Sequence, residues 1–181
     1  MNKFKDLDLP GLLKFAKNQE IDALAELYER FYPKVLKYMY YRVSPADAED
    51  LAGEVFVRVL RSIEKQFESF EAWLYRIAAN VIIDRARRIK VRKESEMNET
   101  MAETLAVKDP PEAGLDRNAD ITDAMEQLTD EQKEFVVLKF LQGLSNEDTG
   151  AIMNRNAGAL RALQFRALSA LRDILKNKGD K

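Results

Sequence analysis

The sequence predicts an all-α protein made of two small helical domains joined by a flexible acidic linker. Glycine and proline number only 7 and 5 among the 181 residues, which leaves a composition rich in good helix formers. Apolar residues recur at three- and four-residue intervals in several segments, as they do along one face of an amphipathic helix. No alternating run of β-branched residues is flanked by turn residues, so the sequence offers no candidate strand.

The first domain is predicted over residues 21–93, while residues 1–20 match no usable pattern. Its first helix is expected over Ile21–Tyr41, where apolar residues follow helical spacing. A bend or break is expected near Tyr32, because Pro33 lacks the N–H donor of a helical residue and its ring clashes with the preceding turn.

Two further helices complete the first domain in this prediction. One is expected over Ala46–Ile63, because Ser44 can cap its N-terminus and Pro45 suits the first helical position. Its apolar face should bury Leu51, Val55, Phe56, Val59 and Leu60. The other is a long helix that should begin after Ser69 and become basic near Arg85.

The linker is predicted over residues 94–118, because two adjacent prolines and a glycine interrupt an already weak periodicity of apolar residues.

Charged residues are strongly segregated by sign around this linker. Asp84–Lys93 holds six bases and one acid, Glu94–Glu131 holds twelve acids and two bases, and Arg155–Lys178 holds six bases and one acid. The net charge of −2 therefore hides two basic surfaces joined by an acidic connector, a pattern typical of nucleic-acid-binding proteins.

The second domain is predicted over residues 119–178 as four helices. Thr129–Gln132 has the pattern of a capping box that begins the second of them. Gly143 suits the left-handed residue that ends this helix. Ser145 should cap a short third helix, and Asn154 suits the turn after it because asparagine tolerates positive φ. A short helix, a turn and a longer basic helix together predict a helix-turn-helix.

This helix-turn-helix is the strongest functional signal in the sequence. Its second helix, expected over Ala157–Leu175, carries Arg161, Gln164, Phe165 and Arg166 in the turns where a recognition helix meets base edges. Arginine binds guanine or phosphate, and glutamine binds adenine. Capped helix pairs with basic residues also occur in ordinary helical bundles, but we favour DNA reading.

The basic run Asp84–Lys93 extends a helix that also carries Trp73 and Tyr75. Aromatic faces beside a basic track suit unstacked, single-stranded bases and their phosphates. For Trp73, packing in the core beside Leu74 and Ile77 is an equal alternative. For the basic run, nucleic-acid binding is favoured over a merely solvated face.

The chain has no cysteine and no histidine, which excludes disulfides, a thiol nucleophile, a Ser-His-Asp triad and a structural zinc site. The acids Asp47, Glu49, Asp50 and Glu54 are not expected to bind a metal, since carboxylate metal sites in helical bundles also use Glu-x-x-His. A solvated first turn, or contact with a basic partner, is favoured for these acids. No signal peptide or membrane span is evident, so we expect a soluble, cytoplasmic protein with no cofactor and no catalysis.

Two parts of the chain closely resemble bacterial sigma factors of the extracytoplasmic-function (ECF) group. Pro45–Val59, Phe70–Asn80 and Asp84–Arg88 resemble their region 2, and Leu144–Asp148 with Gly158–Leu168 resemble their region 4. The resemblance implies a subunit that binds core RNA polymerase, recognises the −35 and −10 promoter elements and helps to melt the promoter.

The resemblance also implies three sets of site residues. The β′ clamp helices of the polymerase would bind Asp47, Glu49, Asp50, Leu51, Glu54, Val55 and Arg58. The loop around Glu64–Glu68 would receive an unstacked base, and the −10 residues would be Phe67, Trp73, Tyr75, Asn80, Asp84, Arg85 and Arg88. The −35 element would be read by Asn156, Gly158, Arg161, Ala162, Phe165 and Arg166, with Gly158 letting the helix N-terminus approach phosphate.

Some residues depart from the family's usual pattern. Thr149, Gly150 and Asn154 differ from it in the helix-turn-helix, and Leu163 and Gln164 replace a common basic and aliphatic pair. Because of these departures, the resemblance does not specify which −35 sequence is recognised. It still implies that the helix-turn-helix docks on DNA as it does in the family.

The resemblance implies core RNA polymerase (β′ clamp helices and β flap), promoter DNA and an anti-sigma factor as partners of a free monomer. A repressor or activator of the helix-turn-helix class is the second hypothesis, but it usually needs a dimer and a palindromic site. The sequence offers no obvious extra dimerisation helix. An enzyme built on a carboxylate bundle is the third hypothesis, and the missing histidine contradicts it.

Overall fold

The computed structural model describes residues 3–66, 69–96 and 119–179, and every regular element within these ranges is helical. The N-terminal elements are α1 (Leu9–Lys17), α2 (Ile21–Arg42), α3 (Pro45–Ser62), a 3-10 turn (Ile63–Lys65) and α4 (Phe70–Glu96). The C-terminal elements are α5 (Ala119–Glu126), α6 (Asp130–Val136) continued by a π-helical turn (Val137–Leu141), α7 (Asn146–Met153) and α8 (Ala157–Gly179).

The predicted all-α class and the two predicted helical domains are confirmed. Most of the predicted linker lies outside the described residues. No described helix is long and apolar enough to cross a membrane.

In the N-terminal domain, α2, α3 and α4 pack around one apolar core. Each contributes the face that its helical spacing predicts, so that Val35, Val55 and Leu74 are fully buried. Phe31 meets Phe70 edge-on, with ring centroids 4.9 Å apart, a geometry that aromatic pairs favour. Each buried side chain of this size contributes about 1.5–3 kcal/mol to folding.

Residues 3–20, for which the sequence showed no pattern, are an integral part of this domain. The Phe4 side chain is buried in the core. The Arg30 guanidinium on α2 donates hydrogen bonds to the backbone carbonyls of Phe4, Lys5 and Leu7 at 2.8–2.9 Å. These contacts join positions more than 20 residues apart, so local spacing could not reveal them.

Two details of the first domain differ from the prediction. α2 passes through Pro33 without interruption, so the predicted break does not occur. Pro33 removes one backbone N–H donor from the helix. The helix continues because Phe31 and Val35, on either side of Pro33, are buried and hold both halves of α2 against the core. Leu60, predicted to be buried, is 44% exposed because it lies about 100° around α3 from the buried Val59.

The C-terminal domain confirms the signals predicted at its helix ends. Thr129 and Gln132 form both hydrogen bonds of a capping box. Gly143 has φ 71° and Asn154 has φ 53°, so both occupy the left-handed region that the turns require. The Ser145 hydroxyl accepts a backbone N–H of α7 at 2.9 Å, as expected of a helix cap.

Gly150 allows α7 and the turn before α8 to approach closely. A Cβ at this position would lie 2.9 Å from the carbonyl oxygen of Arg155. The Arg155 amide in turn donates to the Gly150 carbonyl at 2.8 Å. Thr149 is fully buried, and its hydroxyl donates to the carbonyl of Ser145 at 2.7 Å. Two of the departures from the family pattern are thus fitted to this turn.

The two domains contact each other where α7 packs on α4 and where α6 meets α2. The Tyr75 hydroxyl on α4 donates to the side-chain oxygen of Gln142. Arg42 donates to the carbonyl of Asp130 at 2.9 Å and pairs with Glu134 at 3.6 Å. Burial at this contact raises the pKa of Glu134, against the opposing effect of the Arg42 charge.

Candidate nucleic-acid interface

The first turns of α8 present the predicted −35 residues on one exposed face. Leu160 and Leu163 are buried on the opposite side and fix the rotation of the helix. The side-chain oxygen of Asn156 accepts the backbone N–H of Ala159 at 2.9 Å and so caps the N-terminus. The exposed residues are Asn156, Gly158, Arg161, Ala162, Phe165 and Arg166.

A shallow, open surface runs along this face of α8. Phe165, which is 74% exposed, lines it together with Arg161, Gln164 and Arg172. An exposed phenyl ring can contact thymine methyl groups, and the arginines can bind guanine or phosphate. Leu163 is core, so within the pair that departs from the family pattern only Gln164 is placed to meet bases.

The exposed side of α4 carries four of the predicted −10 residues. Asn80, Asp84 and Arg88 follow at four-residue intervals and therefore lie on one face of the helix. Asn80 and Arg88 are exposed, whereas Asp84 and Arg85 are partly covered. The structure brings these four residues together along about two turns of α4.

The aromatic −10 candidates are placed differently from that polar row. Tyr75 is 2% exposed, and burial raises the pKa of its hydroxyl, which bonds to Gln142 of the second domain. It is therefore covered in this arrangement of the domains, a contact that periodicity on α4 alone could not reveal. Trp73 is half-buried, with its ring centroid 5.8 Å from that of Phe70. Phe67 lies outside the described residues.

Ion pairs between α3 and α4 join the predicted −10 surface to the predicted polymerase surface. The pairs that cross between the helices are Asp47–Arg85 (2.7 Å), Asp84–Arg58 (2.7 Å) and Glu54–Arg88 (3.3 Å), while Glu54–Arg58 (2.6 Å) lies within α3. Partly exposed pairs contribute little individually, because water and salt screen their charges. Three of them share Glu54 or Arg58 and form one network, and together with the separate Asp47–Arg85 pair they link α3 to α4.

These pairs also control the charge of the carboxylates. Burial alone would raise the pKa of Glu54, but hydrogen bonds from Arg58 and Arg88 hold it below its usual value. The hydrogen bond from Arg58 likewise lowers the pKa of Asp84. Both groups remain ionised at neutral pH. Among the described residues no group of three or more acids is arranged to hold a metal ion.

Two residues predicted to touch the polymerase have no exposed side chain to offer. Leu51 is almost fully buried and Val55 is completely buried, because both belong to the core that α3 forms with α2 and α4. Their assignment as contact residues stays a prediction; in this structure their side chains help to hold α3 in place. Asp47, Glu54 and Arg58 remain partly exposed.

An exposed apolar stripe on α3 was missed by sequence reasoning. Val57 and Leu60 are 45% and 44% exposed, and they continue the line of the exposed acids Glu49 and Asp50 past Gly53. The spacing of three and four residues along this line is the signal that could have found it. Contiguous exposed apolar residues rimmed by polar ones mark protein–protein contact surfaces.

Two family models match the chain, Sigma-70 region 2 over residues 27–92 and Sigma-70 region 4 over residues 118–171. The chain is 38% identical to the ECF RNA polymerase sigma factor BldN of Streptomyces coelicolor, over 91% of this chain and 64% of BldN. It is 31% identical to the ECF RNA polymerase sigma factor SigD of Mycobacterium tuberculosis, over 88% of this chain and 80% of SigD.

A solved structure shares the fold. The sigma factor RpoE of Bartonella quintana, determined in complex with the anti-sigma factor NepR, superposes with a TM-score of 0.70 at 21% identity. The match covers 86% of this chain and 98% of that one. The chain spans less than two thirds of the length of BldN, and four fifths of the length of SigD. On these matches, the chain belongs to the ECF sigma factors of the sigma-70 family.

Proposed function

We propose that this chain binds core RNA polymerase and directs it to specific promoters by recognising their −35 and −10 elements. It has no catalytic role of its own. The observation that carries the proposal is the exposed face of α8, where a capped helix N-terminus presents Arg161, Phe165 and Arg166 to solvent. Such a face fits the major groove of DNA.

The polymerase contact is assigned to the outer side of α3. Its exposed acids and the stripe of Val57 and Leu60 would meet the β′ clamp helices, and the second domain would meet the β flap. The contact residues of this surface are Asp47, Glu49, Asp50, Glu54, Val57, Arg58 and Leu60.

The −10 element is assigned to α4 and to the loop that precedes it. Asn80, Arg85 and Arg88 lie on the exposed side of α4, with Asp84 among them. Phe67, Trp73 and Tyr75 would add aromatic contacts to unstacked bases. For Tyr75 this requires that its hydrogen bond to Gln142 of the second domain opens, because the side chain is buried in the present arrangement.

An anti-sigma factor is the proposed regulator, and the free chain is proposed to be a cytoplasmic monomer. RpoE of Bartonella quintana, which shares this fold, was solved with its anti-sigma factor NepR. We propose the same kind of partner for this chain because it belongs to the same family.

Binding of labelled chain to promoter fragments, with and without core polymerase, tests the proposal. We expect weak, salt-sensitive DNA binding by the chain alone and a tight, promoter-specific complex once core polymerase is added. Replacing Val57 and Leu60 together by serine should weaken binding to core polymerase without changing the fold. Tight, specific DNA binding by the chain alone, with no response to core polymerase, would contradict the proposal.

A further inference from the structure

Both arginines that the proposed function assigns to the −10 element are paired with carboxylates assigned to the polymerase surface. The Arg85 guanidinium on α4 meets the Asp47 carboxylate on α3 at 2.7 Å. The Arg88 guanidinium meets Glu54 at 3.3 Å, and Glu54 also accepts a hydrogen bond from Arg58 at 2.6 Å. Each −10 arginine therefore has a negative charge at the distance where a DNA phosphate would have to bind.

These pairs are open to solvent, so they can exchange one partner for another. The side chains of Arg85 and Arg88 are 42% and 61% exposed, and water and salt screen ion pairs of this kind. The Arg85 Nε is buried and has no acceptor among the described residues. An unused buried donor costs free energy, so Arg85 depends on Asp47 to hold it in this position.

The arginines proposed to read the −35 element are not held in this way. On α8 the ion pair between described residues joins Arg172 to Asp173, which follow the recognition turns. Arg161 lines the open surface along α8, and neither Arg161 nor Arg166 is ion-paired within the described parts of the chain. The free chain thus offers its −35 arginines to DNA while its −10 arginines are neutralised.

The carboxylates that neutralise them lie where a basic partner would meet α3. Asp47, Asp50 and Glu54 follow at intervals of three and four residues, so they lie along one side of the helix. Asp50 and the neighbouring Glu49 are exposed, and Asp47 and Glu54 are partly exposed. A basic side chain that approaches this row competes with Arg85 and Arg88 for the same carboxylates.

We infer that Asp47 and Glu54 mask Arg85 and Arg88 from DNA in the free chain, and that polymerase binding at α3 releases both arginines. The inference rests on the proposed function and names its regulation. A carboxylate that pairs with a basic side chain of the polymerase gives up its arginine, which then binds the −10 DNA. Because such coupling is reciprocal, −10 DNA must strengthen polymerase binding by the same factor.

The first test uses the free, full-length chain and a fluorescein-labelled, mixed-sequence single-stranded DNA of 20 nucleotides as the probe. The unmasked variant carries Asp47→Asn with Glu54→Gln. Its matched control carries Asp22→Asn with Glu29→Gln, which removes the same two charges at the same seven-residue spacing from exposed positions on α2. Both are also made with Arg85→Gln and Arg88→Gln, which closes a double-mutant cycle.

We expect the unmasked variant to bind the probe about fivefold more tightly than the control, as two exposed ion pairs no longer oppose binding. Its affinity should also fall more steeply with salt, by up to about 1.4 in the logarithmic slope, because two more phosphates are contacted at about 0.7 each. With both arginines replaced, the advantage should disappear. Urea unfolding curves establish that each variant is folded, and Glu54→Gln against Glu29→Gln gives the same test if the double variant is not.

The second test uses holoenzyme assembled with saturating core polymerase. Binding is measured on a labelled fork fragment of a promoter that the unmodified holoenzyme uses, with excess non-promoter DNA to occupy non-specific sites. We expect the unmasked variant and the control to bind this fragment equally, because the polymerase has already released the arginines. An advantage as large as that of the free chain would overturn the role given to the polymerase.

Two results with the free chain would overturn the masking itself. One is equal binding of the probe by the unmasked variant and the control. The other is an advantage that persists after both arginines are replaced, which would make it a general effect of lowered negative charge. If the unmodified chain binds no core polymerase, the proposed function fails, and the release fails with it. Normal binding to core polymerase, with no difference between the free variants, overturns the inference alone.

Discussion

Glu54 shows how a single carboxylate serves two surfaces. It lies on the proposed polymerase side of α3, yet it accepts hydrogen bonds from Arg58 on α3 and Arg88 on α4. These bonds hold its pKa below the usual value despite partial burial. The charge that would meet a partner is thus also a charge that links α3 to α4.

A pH-dependent stability follows from this lowered pKa. Because the folded-state pKa lies below the unfolded one, the stabilising contribution of Glu54 is complete above the unfolded pKa and is lost as pH falls through the folded pKa. In urea titrations, the free energy of unfolding should therefore fall less for Glu54→Gln than for the unmodified chain between about pH 5 and pH 3. Parallel curves for the two proteins would show that the pairs do not stabilise the fold.

Neighbouring residues of α8 should separate DNA recognition from stability. Phe165→Ala should leave the free energy of unfolding within about 0.5 kcal/mol of the unmodified value, because the ring is largely exposed. Its holoenzyme should bind −35 DNA about tenfold more weakly, as expected when a contact of about 1–3 kcal/mol is removed. Leu163→Ala should instead cost about 2–4 kcal/mol of stability. Urea unfolding and promoter binding check both, and a large stability loss for Phe165→Ala would contradict the assignment.

At the scale of helices and turns, local chemistry specified much of the C-terminal domain. The capping box at Thr129, the left-handed residues Gly143 and Asn154, and the cap at Ser145 were all predicted, because each signal acts within one turn of its own position. The exposure of Leu60 was not predicted. Periodicity shows which side of a helix is apolar, but it does not show how much of that side the neighbouring helices cover.

Two glycines on helices should respond oppositely to the same substitution. In Gly150→Ala the new methyl group would lie 2.9 Å from the Arg155 carbonyl oxygen, so the turn must shift, at a cost of about 1–3 kcal/mol. In Gly53→Ala the new methyl group meets nothing within 4 Å, and the higher helix propensity of alanine should stabilise the chain by up to about 1 kcal/mol. Thermal unfolding measures both. A Gly150→Ala protein as stable as the unmodified one would show that the close approach at Arg155 is not required.

At the scale of the whole molecule, the features that the sequence did not predict depend on distant contacts. The segment at Phe4 is held by Arg30, and Tyr75 is covered by the second domain through Gln142. In both cases the contacting residue is distant in sequence, so neither residue spacing nor composition could predict the contact. The same holds for the ion pairs between α3 and α4, although both helices were predicted.

The contact between the domains should respond to loss of its polar bonds. The double variant Arg42→Met, Tyr75→Phe removes the bonds to Asp130, Glu134 and Gln142 while keeping apolar bulk. Small-angle X-ray scattering should then give a larger radius of gyration, because the two domains separate more often. Arg61→Met, a substitution at an exposed position, serves as the control. An unchanged scattering curve would mean that these bonds do not hold the domains together.

Run-off transcription with core polymerase on fragments of the source genome tests the central claim most directly. The chain should produce a transcript from a discrete start site that core polymerase alone does not produce. Base changes in the −35 or −10 element of that promoter should abolish the transcript, and Phe165→Ala should reduce it. If the folded chain binds no core polymerase and no start site depends on it, it does not act as a sigma factor.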